Sequence, residues 1–444
     1  MSLCWTVRSI ACVKLLAASF SSSAAISSNC INSFKPSFDP YAYTSGRWLH
    51  RDEERRQRRH VSFDFDALMN HVIGCSPTAS RVVGCTKLEG GFNRVFMMTL
   101  DNGEEFVARL PTRRAGQPSI AMASGVATLD YVAQTTNLPV PKVLRWAGTK
   151  SNPIRTEYMM TTKLPGVPLG ELWPQLSSYQ HICCIESLNV VLQRLTKPWF
   201  PAYGSLYHSS LLPDKYPCVL LPDEPTFCIG PHCGMSFWAS PAQELSENDT
   251  SARLGPFESL PKYIAGLFKA GYRQVQQSSA EQGVKRQSYE GSKEEVEVLL
   301  GKSHDVMEQV LNQSFIRELS IPTLMHPDLN LRNILVNPED PKQVTGLLDW
   351  QSACIEPAFV WAADRPDFAK QMPDDPDIDE SKPPSQPQKK REKDMSLCSQ
   401  AWTACTLGNR KITFAARVDA LFTPISHLTS FNHLETDGNL QSMA

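Results

Sequence analysis

One segment constrains this chain more than any other: HPDLNLRNILV, His326–Val336, followed a short turn later by Leu348-Asp349-Trp350. The apolar runs Ile321–Met325, Ile334–Val336 and Val344–Leu348 surround it, and Pro338–Lys342 reads as a turn. Runs this short, broken by Pro, Asp and Asn, predict strand, loop, strand, turn, strand. That order carries Asp328, Asn333 and Asp349 to one end. A plain Asp/Asn turn accounts for a single acid, through local side-chain to backbone hydrogen bonds. It does not account for H-x-D-x-x-x-x-N with D-W after a hairpin.

Phosphoryl transfer asks for those residue types. It needs an in-line nucleophile, a divalent metal on the phosphates and positive charge nearby, and little covalent help. Asp328 is expected to orient or accept the proton of a substrate hydroxyl. Asn333 offers a neutral oxygen and Asp349 an anionic one to Mg²⁺, which prefers oxygen ligands. His326 is expected to brace the loop, and Arg332 either to counter the carboxylates or to face solvent.

Upstream, residues 81–110 read as three strands, Arg81–Leu88, Val95–Leu100 and Glu105–Leu110, with Asp101-Asn102-Gly103 as a hairpin turn. Between the first two lies Glu89-Gly90-Gly91-Phe92-Asn93-Arg94. Glycines let backbone N–H groups approach a phosphate, which makes Gly90, Gly91, Phe92 and Asn93 nucleotide-binding candidates, although any tight hairpin favours Gly-Gly. Arg109 is either a surface strand arginine or a clamp on nucleotide phosphates, the part a lysine plays in kinases. A helix follows over Ser119–Gln134. LPVPKVL and EYMMTTKLPG then read as strand, turn, strand. In a two-lobed kinase Met159–Thr162 would be the hinge, with backbone at Met160 reading an adenine edge.

At HPDLNLRN and LLDWQSACIEP the chain resembles the aminoglycoside phosphotransferase family, in which D-W/F-E/Q replaces the D-F-G of protein kinases. YTSGRWL, LEGGFNRVF, GVATLDYV, PGVPLGELW and DWQSACIEPAFVWA are similar to its fungal mitochondrial branch, typified by altered inheritance of mitochondria protein 9. The likeness runs from about Tyr43 to Phe368, with a weaker echo in SLCSQAWTAC. It implies an α+β, two-lobed protein-kinase-like fold: a small antiparallel β lobe and a larger, mainly helical lobe. It also implies ATP and Mg²⁺ as cofactors and transfer of the γ-phosphate to a hydroxyl of an unidentified small molecule in mitochondria. A nucleotide-binding pseudokinase is the alternative. A protein kinase is disfavoured, because D-W-Q replaces D-F-G and no A-P-E segment follows. One departure is Gly125, where the branch is expected to carry an acid that pairs with the phosphate-clamping cation. Glycine leaves Arg109 without that partner and weakens the helix by about 1 kcal/mol relative to Ala.

The rest of the chain sets boundaries. Residues 1–40 are basic, Ser-rich and free of acids before Asp39, the pattern of a mitochondrial transit peptide; a secretory signal or a disordered tail are the competing readings. Residues 41–80 are expected to form a helical extension, 81–162 the small nucleotide-binding lobe, and 163–371 the large lobe with an insertion over Tyr203–Leu254. Helices are expected at Gln180–Leu195, Phe257–Gln276 and Lys293–Gln313 from their apolar spacing. The acidic, Pro-rich, then basic tract at 372–395 reads as a disordered linker, and 396–444 as partial or atypical C-terminal helices over Ser396–Leu407 and Ile412–Leu421. A net charge of −2 gives no electrostatic case for nucleic acid, and no apolar run is long enough for a transmembrane helix. The 13 cysteines are scattered without a CxxC pair, which fits a reducing compartment. Cys228, His232 and Cys233 lack a second cysteine pair at zinc-ligand spacing and read as buried thiols beside a histidine. Oligomeric state is not legible.

Overall fold

The structure, a computed structural model, describes residues 34–49, 51–112, 118–237, 254–278, 293–363, 365–370 and 386–407. The expected presequence up to 33, the tract 371–385 and the expected helix Ile412–Leu421 lie outside the described residues.

The chain builds α1 (Asp52–Arg58), α2 (Phe65–Ile73), β1 (Val82–Glu89), β2 (Asn93–Leu100), β3 (Glu105–Pro111), α3 (Pro118–Thr136), β4 (Val143–Ala147) and β5 (Tyr158–Thr162). The five strands form one antiparallel sheet in the order β1-β2-β3-β5-β4. Strict alternation along β2 sends Arg94, Phe96, Met98 and Leu100 inward. That face packs against Phe65, Leu68, Met69 and Val72 of α2. Asp64 caps α2 by accepting from Ala67 N at 2.9 Å. Phe34 and Phe38 pack on the same core, so the segment 34–40, expected to belong to the presequence, is part of this lobe. Its aromatic content is the reason: two Phe side chains bury more apolar surface than a Ser-rich leader can offer.

The larger lobe runs through β6 (Val167–Pro168), α4 (Ser178–Leu192), β7 (Ser205–His208), β8 (Val219–Leu220), β9 (Phe227–Gly230), α5 (Leu260–Ser278), α6 (Lys293–Leu311) and α7 (Ser314–Leu319). It continues through β10 (Pro322–Leu324), β11 (Ile334–Val336), β12 (Val344–Leu347), β13 (Ile355–Pro357), α8 (Ala358–Ala363) and α9 (Gln386–Leu407). A capping box between Ser177 and Gln180 starts α4. Residues 205–230 of the insertion form a three-stranded sheet in the order β7-β9-β8. The region around His326–Val336 forms the sheet β12-β11-β6 and the pair β10-β13. The fold is the two-lobed, kinase-like α+β arrangement that the resemblance implies.

Helix α3 follows the small sheet in sequence and packs both on its strands β4 and β5, through Trp146 and Met159, and on the larger lobe. Val126, Ala127, Leu129, Tyr131 and Val132 lie in one core with Leu188 of α4, Leu206 of β7 and Ile334 of β11. Ile120 joins the core built on Phe257, Tyr263 and Phe268.

Helix α9 corrects the expected linker. It begins at Gln386, within the tract 372–395 expected to be disordered, and runs unbroken to Leu407. The mixed-charge stretch KKREKD consists largely of good helix formers, and the helix is held from its far end. There Cys398, Ala401, Trp402 and Cys405 pack into the large-lobe core, with Trp402 edge-on to Phe368 at 5.6 Å.

Candidate functional site

The loop between β10 and β11 is held from within. His326 is buried; its Nε2 donates to the Leu348 carbonyl at 2.6 Å, and its Nδ1 accepts from Asp328 N at 3.2 Å. One ring nitrogen donates and the other accepts, so the neutral imidazole satisfies both contacts. Burial pushes its pKa down to about 4, against the opposing pull of the Leu348 carbonyl and the nearby Asp349 and Asp328 carboxylates. The brace joins the loop to the segment before Asp349.

Asp328 Oδ2 accepts from Arg332 at 2.5 Å and from Asn333 Nδ2 at 2.9 Å, and Asn330 Nδ2 donates to Oδ1. Asn333 Nδ2 also reaches the Asp328 carbonyl at 2.8 Å. With its amide nitrogen committed inward, the Asn333 carboxamide presents its oxygen as the remaining polar end. Leu348 N donates to the Asn333 carbonyl at 2.8 Å, which places Asn333 beside Asp349. Asp349 has φ 63°, a left-handed conformation that Asp tolerates better than most residues. Its Oδ1 accepts from Arg109 at 2.8 Å. Arg109 therefore does have a carboxylate partner; Asp349 supplies it, in place of the acid expected in α3.

Asn93, at the start of β2, donates through Nδ2 to Gln351 Oε1. The Gly-rich hairpin is tight: Gly90 N donates to the Asn93 carbonyl at 2.9 Å, and Thr112 N donates to the Phe92 carbonyl at 2.8 Å. A Cβ built on Gly91 would meet open space. A cleft is lined by Asn93, Arg109 and Pro111 of the small sheet, by Met122, Gly125 and Leu129 of α3, and by Met159, Trp350 and Gln351.

Met160 is placed differently from the sequence expectation. It is fully buried in the small-lobe core, in the middle of β5, between Ala108 of β3 and Arg145 of β4. Strand alternation turns its neighbour Met159 toward the cleft instead. The strand runs to Thr162, so the connection between lobes starts later than the expected hinge. Sequence reasoning also missed Gln351, whose only signal was its place directly after D-W, and Met122 and Leu129, which read as ordinary core positions of α3.

Residues 266–360 match the model of the phosphotransferase enzyme family. Over that stretch the chain is similar to this family. It is 30% identical to a subtelomeric hrmA-associated cluster protein of Aspergillus fumigatus, over 62% of this chain and 58% of that one. It is 24% identical to altered inheritance of mitochondria protein 9, mitochondrial, of Clavispora lusitaniae, over 73% of this chain and 61% of that one. The phosphotransferase-like chain thus spans about three-fifths of the length of these curated relatives. Among solved structures, aminoglycoside phosphotransferase APH(3'')-Id of Streptomyces rimosus aligns with TM-score 0.38 at 16% identity, covering 81% of this chain and 99% of that one.

Proposed function

We infer that this phosphotransferase-like protein transfers the γ-phosphate of ATP to a hydroxyl group of a small molecule in mitochondria. The observation that carries the reading is the hydrogen-bonded set Asp328, Asn333, Asp349 and Arg109, with Arg109 on the wall of a cleft that Asn93 and Gln351 also line. Asp328 would take the proton of the acceptor hydroxyl while its oxygen forms the new bond to γ-phosphorus and the bond to the ADP oxygen breaks. Asn333 Oδ1 and the Asp349 carboxylate fit a hard, oxygen-seeking cation. Mg²⁺ held there would neutralise charge on the phosphates. Arg109 would move from Asp349 to the phosphates, and Gly91, Phe92 and Asn93 would cover them with backbone N–H groups, while the Gly90 N–H, bonded to the Asn93 carbonyl, holds the hairpin closed. Mitochondrial location is supported by the basic, acid-free leader and by the names of the relatives.

A second reading, a nucleotide-binding pseudokinase, is favoured by one observation: Gly125 leaves the cleft-facing position of α3 without an acid, the helix's Asp130 faces His208 at 2.9 Å, and Arg109 pairs with Asp349 instead. Two variants separate the readings. Asp328→Ala should retain Mg·ATP binding and lose at least about a hundredfold in turnover if it acts as base. Asp349→Ala should lose Mg-dependent nucleotide binding under either reading, and unchanged binding would refute the metal assignment. Turnover of Mg·ATP with a pooled mitochondrial metabolite extract, abolished in Asp328→Ala, supports transfer; binding without turnover across that pool supports the pseudokinase.

A further inference from the structure

Two groups of His, Cys and acid side chains lie outside the cleft, and hydrogen bonding tells them apart. His232, Cys354 and Glu356 bring their ligand atoms within 4.8 Å of one another. Gly234 donates its backbone N–H to His232 Nδ1 at 3.0 Å, so the ring carries its proton on Nε2, which lies 2.9 Å from Glu356 Oε1. The ring's own proton faces the carboxylate, so this approach between the insertion and β13 needs no cation between its atoms.

The second group is His181 of α4 with Asp394 and Cys398 of α9, again with ligand atoms within 4.8 Å. Here the ring is turned the other way. His181 Nε2 lies 2.9 Å from the Trp173 carbonyl, which can only accept, so Nε2 carries the hydrogen. The Trp173 indole stacks on the ring at 3.9 Å and fixes its plane. In the neutral imidazole Nδ1 is then a bare lone pair, and it faces Asp394 Oδ2 at 2.9 Å. Two electron-rich atoms at that distance need positive charge between them. The buried Asp394 Oδ1 has no hydrogen-bond partner among the described residues. Cys398 is buried four residues beyond Asp394, on the same helix face. A proton on Nδ1 would satisfy His181 and one carboxylate oxygen, but would leave Oδ1 and the thiol without a role. A metal cation uses all three side chains.

We propose that His181 Nδ1, the Asp394 carboxylate and Cys398 Sγ form a Zn²⁺ site that clips the C-terminal helix α9 to α4. The mixed N, O and S donor set suits zinc, and a histidine whose other N–H donates to a backbone carbonyl is the arrangement that orients metal ligands. Asp394 keeps a quarter of its side chain exposed, which leaves room for water as the fourth ligand. Bonding requires the atoms to close to about 2.0 Å for Zn–N and 2.3 Å for Zn–S. When the S–Zn bond forms, the Cys398 thiol gives its proton to solvent, and no electron is transferred. Burial and the neighbouring Asp394 push that thiol up to about 11, so without metal it stays protonated and uptake releases a proton.

The test titrates the full-length, chelator-stripped protein with Co²⁺, a spectroscopic stand-in for Zn²⁺. One equivalent should bind with a thiolate-to-cobalt charge-transfer band that one equivalent of Zn²⁺ abolishes. The band should vanish in Cys398→Ser and affinity should fall at least tenfold in His181→Gln, whereas Cys354→Ser and His232→Gln retain it. Far-UV circular dichroism checks that Cys398→Ser is folded. Should it not be, the partly exposed Asp394→Asn replaces it, with the same loss of affinity expected as for His181→Gln. No cobalt uptake by the wild-type chain, a band that survives Cys398→Ser, or a band lost in Cys354→Ser overturns the proposal.

Discussion

His326 makes this protein acid-labile in a way one substitution can isolate. Its imidazole is neutral and buried, donating to the Leu348 carbonyl and accepting from Asp328 N. The ordinary value of 6.5 applies when the chain is unfolded, and burial lowers it to about 4 when folded. The unfolded state therefore binds a proton first as pH falls. The stability this group contributes is complete above pH 6.5 and is lost progressively down to about pH 4. The separation, at 1.36 kcal/mol per pH unit, corresponds to about 3 kcal/mol in full and about 2 kcal/mol by pH 5. His326→Gln keeps one donor and one acceptor but does not titrate. Urea unfolding of both proteins at pH 7.5, 6, 5 and 4.5 gives the difference directly. Wild type should lead at neutral pH and forfeit about 2 kcal/mol of that lead by pH 5. A difference that stays flat across the series would refute the neutral, two-bonded histidine.

Three further substitutions probe the frame around the cleft. Gly166 has φ +103°, and a Cβ there would meet the Val336 carbonyl oxygen at 2.5 Å and Thr345 Oγ1. Gly166→Ala should destabilise by at least about 2 kcal/mol, read as a lowered urea midpoint, because backbone strain and a backbone clash add. Trp350→Phe keeps a large ring in the buried site but leaves the Leu347 carbonyl without its 3.1 Å indole donor, so a loss of about 1–2 kcal/mol is expected in the same assay. Gly125→Glu adds a carboxylate to the cleft wall, where a Cβ meets only Met159 Cε at 3.5 Å. It should stabilise α3 by up to about 1 kcal/mol and tighten Mg·ATP binding by giving Arg109 a second anchor; weaker binding in a calorimetric titration would count against that role.

Local pattern carried most of the small sheet. Alternation and the Asp101-Asn102-Gly103 turn located β1, β2 and β3 to within two residues, because register in a half-buried sheet follows the apolar face. The loop from His326 to Asn333 was legible for a different reason, a spacing that a generic turn does not produce. Pairings across long sequence separations were not legible. Asn93 with Gln351 and Arg109 with Asp349 join residues more than 200 positions apart, and no local preference encodes such a partner. YMMTT is apolar or neutral along its length, so its composition does not say which methionine faces the cleft. Helix α9 was missed over 386–395 because charge and proline suggested solvation, while its anchor lay further on, at Cys398 and Trp402.

The packing of α3 has a mechanical consequence. In two-lobed kinases the corresponding helix can act as a lever, swinging to couple or uncouple its ion pair. Here the lever is bolted to the floor. Moving α3 with the small sheet would pull Val126, Leu129 and Val132 out of the core they share with α4, β7 and β11. At roughly 25 cal/mol per Å² of apolar surface, uncovering three such side chains costs several kcal/mol. Tilting the sheet over a stationary α3 avoids that cost but parts Met159 of β5 and Trp146 of β4 from the same core, so the helix acts as a seam that resists motion from either lobe.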